Sequence, residues 1–200
     1  MMTPTTIVHL LSGGMDSVVM LYDLQANKGN FIHCVLFDYK QQHVQELTWA
    51  KHHCVRLGVL FTTIEIPQLR GSSLTDGNGG VVVPNRNAIL LSLAVNVGVE
   101  VGAELITYAC NKDDEAMFPD CRMAFVKAFN ALLSESQINI EVCAPYMNKA
   151  KWEIADLGRQ LGVNLDETWS CYKGGQSPCG ECPACLKREE ALQTAGGKWI

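Results

Sequence analysis

The sequence predicts an α/β fold: a parallel five-stranded sheet with helices on both faces, followed by a small C-terminal segment organised by a metal. Three observations carry this. Short apolar runs alternate about five times with stretches of helical period, the signature of strands buried between helices. A glycine loop follows the first apolar run. Four cysteines crowd a tail in which the apolar pattern has stopped.

Residues 7–11 read as a buried strand and 17–25 as a helix. Residues 31–37 form the second strand. Leu47, Ala50, Cys54 and Leu57 then recur at steps of three and four, a helical stripe that stops at Gly58. The third strand, 60–66, is halted by Pro67. Residues 68–85 are irregular, with turn chemistry at 71–73 and 76–80. Leu90, Leu93, Ala94, Val97 and Val101 mark a helix, 104–109 a strand, 110–118 a polar loop, and Phe125, Phe129 and Leu132 the next helix. Residues 138–144 are the fifth strand, and Ala150, Ile154, Leu157 and Leu161 share one face of the helix after it. Residues 1–165 are thus expected to form the α/β domain and 166–200 a segment packed on it as one folding unit. Ligands of such sheets sit beyond the carboxyl ends of the strands, so the loops after residues 11, 37, 66, 109 and 144 are where chemistry is expected.

The 200 residues are 48% hydrophobic and 18% charged, against about 25% charged in typical domains, which excludes a disordered chain. A net charge of −5 supplies no basic field for nucleic acid or an anionic membrane. Residues 1–6 have neither the basic region nor the apolar stretch of a signal peptide. The apolar stretch 88–103 is broken by Asn96, Gly98 and Glu100 and falls short of the ~20 residues of a membrane span. Nine cysteines in such a chain read as reduced thiols and a cytoplasmic location.

At the exit of the first strand stands Leu11-Ser12-Gly13-Gly14-Met15-Asp16-Ser17. Two glycines allow a tight turn with inward N–H groups, and the helix N-terminus adds partial positive charge, together an anion site. Asp16 would repel a phosphate unless it caps the helix or holds Mg2+. The loop is neither a Walker A loop nor a dinucleotide fingerprint; the plain alternative is an ordinary strand-to-helix turn.

In the tail, Cys171, Cys179, Cys182 and Cys185 follow Cys-x7-Cys-x2-Cys-x2-Cys. Four thiolates close a tetrahedral site, so Zn2+ here would be structural; an iron–sulfur cluster or chance proximity are the other readings. From residue 171 onward four Lys or Arg face three Glu, hardly a nucleic-acid footprint. The remaining cysteines, at 34, 54, 110, 121 and 143, read as core fillers, with a catalytic cysteine at 110 or 121 as the alternative. His43, His52 and His53 read as helix-surface residues.

Ser12-Gly13-Gly14-Met15-Asp16-Ser17 resembles the pyrophosphate loop of the N-type ATP pyrophosphatases. With Val83-Pro84-Asn85-Arg86-Asn87, Phe118-Pro119-Asp120-Cys121-Arg122 and Thr168-Trp169-Ser170-Cys171-Tyr172, the chain from 7 to 196 resembles the 7-cyano-7-deazaguanine synthase family of queuosine biosynthesis. That resemblance implies an adenine nucleotide α-hydrolase-like sheet and a ligase that adenylates 7-carboxy-7-deazaguanine, adds ammonia drawn from free ammonium, and dehydrates the amide to the nitrile. It implies ATP bound by Leu11, Ser12, Gly13, Gly14, Met15, Asp16, Ser17, Val18, Val19, Met20 and Leu21, with Mg2+ at Asp16 and Zn2+ on the four cysteines. Asp16, Arg86, Arg122 and Lys149 would be catalytic, Tyr39, Asn87, Asp120 and Arg122 would bind substrate, and the assembly would be a homodimer without stable nucleic-acid or membrane partners. For Lys149 the alternative is a solvated lysine, for Arg86 a surface ion pair, for Asp120 a helix cap.

The chain departs from the family pattern in presumed substrate loops. Tyr39-Lys40-Gln41-Gln42-His43 stands where Tyr-Gly-Gln-Arg-His is usual, Asn85 where glycine is usual, and Asp114-Glu115-Ala116-Met117-Phe118 where Asp-x-Ser-Gly-Tyr is usual. Rival functions are a relative that stops at the amide, an enzyme that amidates or thiolates tRNA, and a non-catalytic zinc-ribbon module.

Overall fold

The computed structural model describes residues 5–76 and 79–197. Residues 1–4 and 198–200, the extremes of the two expected segments, and Gly77 and Asn78 of the expected turn lie outside the described residues. Five strands, β1 (Thr6–Leu10), β2 (Phe31–Asp38), β3 (Leu60–Glu65), β4 (Leu105–Tyr108) and β5 (Glu141–Cys143), form one sheet in the order β3-β2-β1-β4-β5. Every pairing is parallel, with Val8 of β1 in register with His33 of β2 and Ile106 of β4.

Alternation along β2 sends side chains to both faces, as a buried parallel strand requires. Val35 and Phe37 join a core with α3 (Arg86–Val101) and α4 (Met123–Glu135). Cys34 and Leu36 join the opposite core with α1 (Met15–Ala26), α2 (Gln45–Leu57), α5 (Lys151–Gln160) and α6 (Pro183–Gly197). Helix α2 ends at Gly58 in the left-handed region (φ 66°), whose N–H reaches the carbonyls of Cys54 and Val55.

The differences from the sequence reading have local causes. Helix α1 starts two residues early, which puts Asp16 in its first turn. On α4 the buried leucine is Leu133, alongside Val126 and Phe129, whereas Leu132 is 55% exposed. Strand β5 is three residues long, and on the open edge of the sheet Asn130 of α4 occupies both the N–H and the carbonyl of Val142 at 2.8 Å. The C-terminal segment is not without a core: α6 lays Ala191 and Ala195 into the α1/α5 core, and Arg159 of α5 donates to the Leu192 carbonyl at 2.9 Å. Nor are the histidines all on a surface, since His43 and His53 are buried.

Candidate active site

Strand order reverses between β1 and β4, and a cleft of 320 Å³ opens beyond the carboxyl ends there, within the size range of small-ligand pockets. One end is built by the glycine loop. Gly14 caps α1 in extended backbone, and its N–H donates to Ser12 Oγ at 3.2 Å. Ser12 Oγ lies 3.0 Å from Ser17 Oγ, which donates to the Gly14 carbonyl at 3.0 Å. Gly13 has a φ of +85°, and a Cβ on it would lie 2.0 Å from the Glu46 carbonyl oxygen, so the loop packs directly on the first turn of α2. Beneath the loop, His9 Nε2 donates to the Ser17 carbonyl at 2.9 Å, which leaves Nδ1 to accept from the Thr107 hydroxyl at 2.8 Å. Burial lowers its pKa to about 4, and the backbone bonds at Ser17 and Thr107 only partly oppose this, so the ring is neutral.

Asp16 does not cap the helix. Its Oδ2 accepts from Lys151 Nζ at 3.0 Å and from Asn111 Nδ2 at 2.8 Å, while Oδ1 is buried with no partner among the described residues. For Lys151, burial favours the neutral amine, but Asp16 and Asp114 outweigh it and hold the pKa above the ordinary value. Burial, reinforced by Asp16, raises that of Asp114 against the pull of Lys151.

The other end of the cleft is an apolar slot, with Phe37, Leu74 and Leu90 among its walls, holding Tyr39, His43, Glu46, Arg86 and Asn87. Glu46 accepts from Gln41 Nε2 at 3.1 Å and lies 3.5 Å from His43 Nε2. Burial pushes its pKa up to about 8, against the hydrogen bond from Gln41 and the charge of Arg86. Burial and then Arg86 lower His43 to about 4. Tyr39 is raised to about 12, by burial that outweighs Arg86.

Of the residues expected at the site, Leu11, Ser12, Gly14, Met15, Asp16 and Ser17 line the cleft, as do Tyr39, Arg86 and Asn87. Gly13 stands behind them, its carbonyl accepting from the Trp169 N–H at 2.9 Å. Val18, Val19, Met20 and Leu21, also expected at ATP, do not line the cleft and are fully buried in the core, because α1 is packed on every side just below the loop. Lys149 is not among the lining residues; Lys151, at the start of α5, is. Asp120 and Arg122 also fall outside the lining. The Asp120 carbonyl accepts from Tyr108 Oη at 3.1 Å, and exposed Arg122 donates from Nε to the Glu115 carbonyl at 2.9 Å. The sequence reading missed Lys151, Glu46, His43, Asp114 and Lys187, all lining the cleft. Two of them carried a signal, Asp114 as the acid retained from the family's Asp-x-Ser-Gly-Tyr and His43 as the histidine retained from Tyr-Gly-Gln-Arg-His.

The Sγ atoms of Cys171, Cys179, Cys182 and Cys185 all lie within 4.8 Å of one another. Zinc–sulfur bonds of about 2.3 Å in a tetrahedron set sulfurs about 3.8 Å apart, and Cys179 Sγ and Cys185 Sγ are 4.0 Å apart. Backbone N–H groups of Lys173 and Cys179 point at Cys171 Sγ from 3.3 and 3.4 Å, as suits a thiolate. The donor set fits a metal. The same segment walls the cleft through Trp169, Ser170, Tyr172 and Lys187.

Among solved structures the chain is similar to the U34-tRNA thiolase NcsA from Methanococcus maripaludis with its 4Fe–4S cluster: TM-score 0.58, 16% identity, 96% of this chain and 65% of that one. It is also similar to an NH3-dependent NAD synthetase from Campylobacter jejuni: TM-score 0.52, 18% identity, 82% of this chain and 66% of that one. These likenesses establish the fold. In sequence it is 39% identical to the 7-cyano-7-deazaguanine synthase of Caldicellulosiruptor bescii, over 96% of this chain and 94% of that protein. It is 38% identical to that of Methanoregula boonei, over 94% of each. The family model described as queuosine biosynthesis protein QueC matches residues 6–196, so the chain belongs to the QueC family.

Proposed function

We propose that the chain is an ATP-dependent carbon–nitrogen ligase that converts 7-carboxy-7-deazaguanine and ammonia into 7-cyano-7-deazaguanine. The observation that carries this reading is the match to 7-cyano-7-deazaguanine synthases along nearly the whole chain, joined to a cleft in which Asp16 of the glycine loop pairs with Lys151.

Each oxygen that leaves the carboxyl carbon is a poor leaving group until adenylated. Attack of the carboxylate on the α-phosphorus of ATP breaks the α–β bridge and releases pyrophosphate. Ammonia then displaces AMP and gives the amide. A second ATP adenylates the amide oxygen and releases pyrophosphate, and loss of AMP and of both N–H protons leaves the nitrile. The loop from Ser12 to Ser17 would hold the leaving pyrophosphate with backbone N–H groups and the α1 N-terminus. Lys151 takes the charge role expected of Lys149, next to the developing negative charge. Asp16 Oδ1 and Asp114 would hold the Mg2+ that accompanies ATP and neutralises phosphate charge. Zn2+ on the four cysteines would supply structural closure of the tail.

No described helix is long and apolar enough to cross a membrane. A cytoplasmic homodimer with small-molecule substrates and no stable nucleic-acid partner belongs to the same proposal. The test is mass spectrometry of purified protein with 7-carboxy-7-deazaguanine, Mg-ATP and ammonium. The expected result is the nitrile, with AMP and pyrophosphate. An amide that accumulates without nitrile would overturn the second activation, and no product at all would overturn the substrate.

A further inference from the structure

The apolar end of the cleft holds one carboxylate, on Glu46, beside one guanidinium, on Arg86. Glu46 is not a surface residue of α2: its side chain is 12% exposed, and the cleft is what it faces. Burial that deep favours the neutral acid, and the charged carboxylate forms there only when donors reach it. Inside the protein it has the Gln41 amide at 3.1 Å and His43 Nε2 at 3.5 Å, which leaves lone pairs open on an acceptor that can take about four hydrogen bonds. His43 Nδ1 is buried with no partner among the described residues, so the polar set at this end is incomplete as it stands. The slot walls, Phe37, Leu74 and Leu90 among them, suit the faces of a flat ring.

Two flat rings come to a cleft with the proposed reaction, and their edges differ. Adenine offers one donor, its amino group, next to a ring nitrogen whose lone pair would face the carboxylate. A deazaguanine offers two adjacent donors, N1–H and the 2-amino group, followed by the 6-oxo acceptor. Two carboxylate oxygens and one guanidinium complement the second edge and clash with the first.

Resting on the reading of the substrate above, we propose that Glu46 is the specificity residue for the base. Its carboxylate accepts N1–H and the 2-amino group, and Arg86 donates to the 6-oxo oxygen. The raised pKa of Glu46 agrees with a site completed by its ligand, because two donors arriving on the carboxylate favour its charged form.

The test uses the full chain and Glu46→Gln, which keeps the shape and removes the charge. Binding of 7-carboxy-7-deazaguanine is measured by titration calorimetry, independently of turnover, beside binding of its analogue lacking the 2-amino group. Wild type is expected to prefer the 2-amino base. The variant is expected to bind that base about 10- to 100-fold more weakly, the range for losing hydrogen bonds to a charged acceptor, and to lose most of the preference. Its affinity for ATP should stay within about twofold and its melting temperature should not fall. Equal binding of the 2-amino base by wild type and variant overturns the inference, as does a loss that falls on ATP instead. If the variant melts early, Glu46→Asp decides: retained base preference supports the inference, and lost preference with intact ATP binding overturns it. Wild type that binds the base without converting it refutes the proposed reaction and leaves Glu46 judged by the binding data.

Discussion

The two glycines of the loop proposed to hold ATP face different constraints, and replacing each with alanine separates them. At Gly13 the backbone sits at φ +85°, which costs an L-residue about 1–2 kcal/mol. The added Cβ would also meet the Glu46 carbonyl oxygen at 2.0 Å and carbon at 2.8 Å, with the Ala50 nitrogen at 3.1 Å. These are backbone atoms of α2, so no rotamer change relieves them and the helix must move, at about 1–3 kcal/mol for an overpacked contact. Gly13→Ala should therefore lose about 2–5 kcal/mol, a large part of the 5–15 kcal/mol that holds a typical domain. Gly14 is already extended, and its nearest neighbours would be Ser12 Oγ at 3.3 Å and the Trp169 carbonyl at 3.6 Å. Gly14→Ala should cost no more than about 1 kcal/mol but add a methyl to the cleft lining and raise the KM for ATP about tenfold. Urea titrations give the midpoints, read at constant slope, and initial rates give the KM. A Gly13→Ala midpoint equal to wild type, or Gly14→Ala as unstable as Gly13→Ala, would refute this account of the loop.

His9 is neutral in the folded protein, with a pKa of about 4 against 6.5 unfolded. Between those values the unfolded chain binds the extra proton, so stability rises with pH there, and acidification from pH 6.5 to 4 should remove about 3 kcal/mol that His9→Gln does not lose; parallel acid limbs for the two proteins would contradict it. Lys151→Met should strand the Asp16 carboxylate and destabilise by about 3–5 kcal/mol, whereas Asp16→Asn/Lys151→Met should recover most of that loss in denaturant; a double variant no better than the single one would mean that the pair is not coupled. Cys182→Ser should abolish metal binding at the proposed four-cysteine site and, because the Trp169 N–H holds the Gly13 carbonyl at 2.9 Å, also weaken ATP binding. Elemental analysis and nucleotide titration check both, and ATP affinity unchanged after metal loss would show the tail and the loop to be independent.

The sheet was legible because its evidence is periodic and repeated: apolar runs of four to eight residues, punctuated by Gly58 and Pro67, leave little choice for a parallel α/β chain. Helix α6 was not, because its buried face is made of Ala191 and Ala195, residues too small to mark a stripe until α5 lies against them. The loop and the four cysteines were legible since their chemistry is local in sequence. Glu46 and His43 were not: on a helix entry, a glutamate and a histidine read as solvent-facing, and only the fold brings Leu74, Arg86 and Leu90 across the cleft from them. Lys149 and Lys151 differ by two positions in one turn, and apolar periodicity does not say which of two lysines before a helix points into the cleft.

Three glycines of the family pattern are absent from this chain, at positions 40, 85 and 117, and at the first two the backbone explains why the loss is tolerated. Lys40 and Asn85 stand where glycine is usual, and both keep the left-handed conformation, at φ 59° and 57°. Asparagine enters that region readily. Lysine does so at about 1–2 kcal/mol, but glycine would itself lose about 0.5–1 kcal/mol of chain entropy on folding. Asp38 narrows the difference further, accepting from the Lys40 N–H at 2.9 Å while its other oxygen takes the ammonium at 3.3 Å. The substitutions thus change side chains at the rim while preserving the backbone path that carries Tyr39, Gln41 and Arg86 to the base end of the cleft. A departure that conserves φ leaves the backbone path in place, so these loops remain compatible with the proposed deazaguanine substrate.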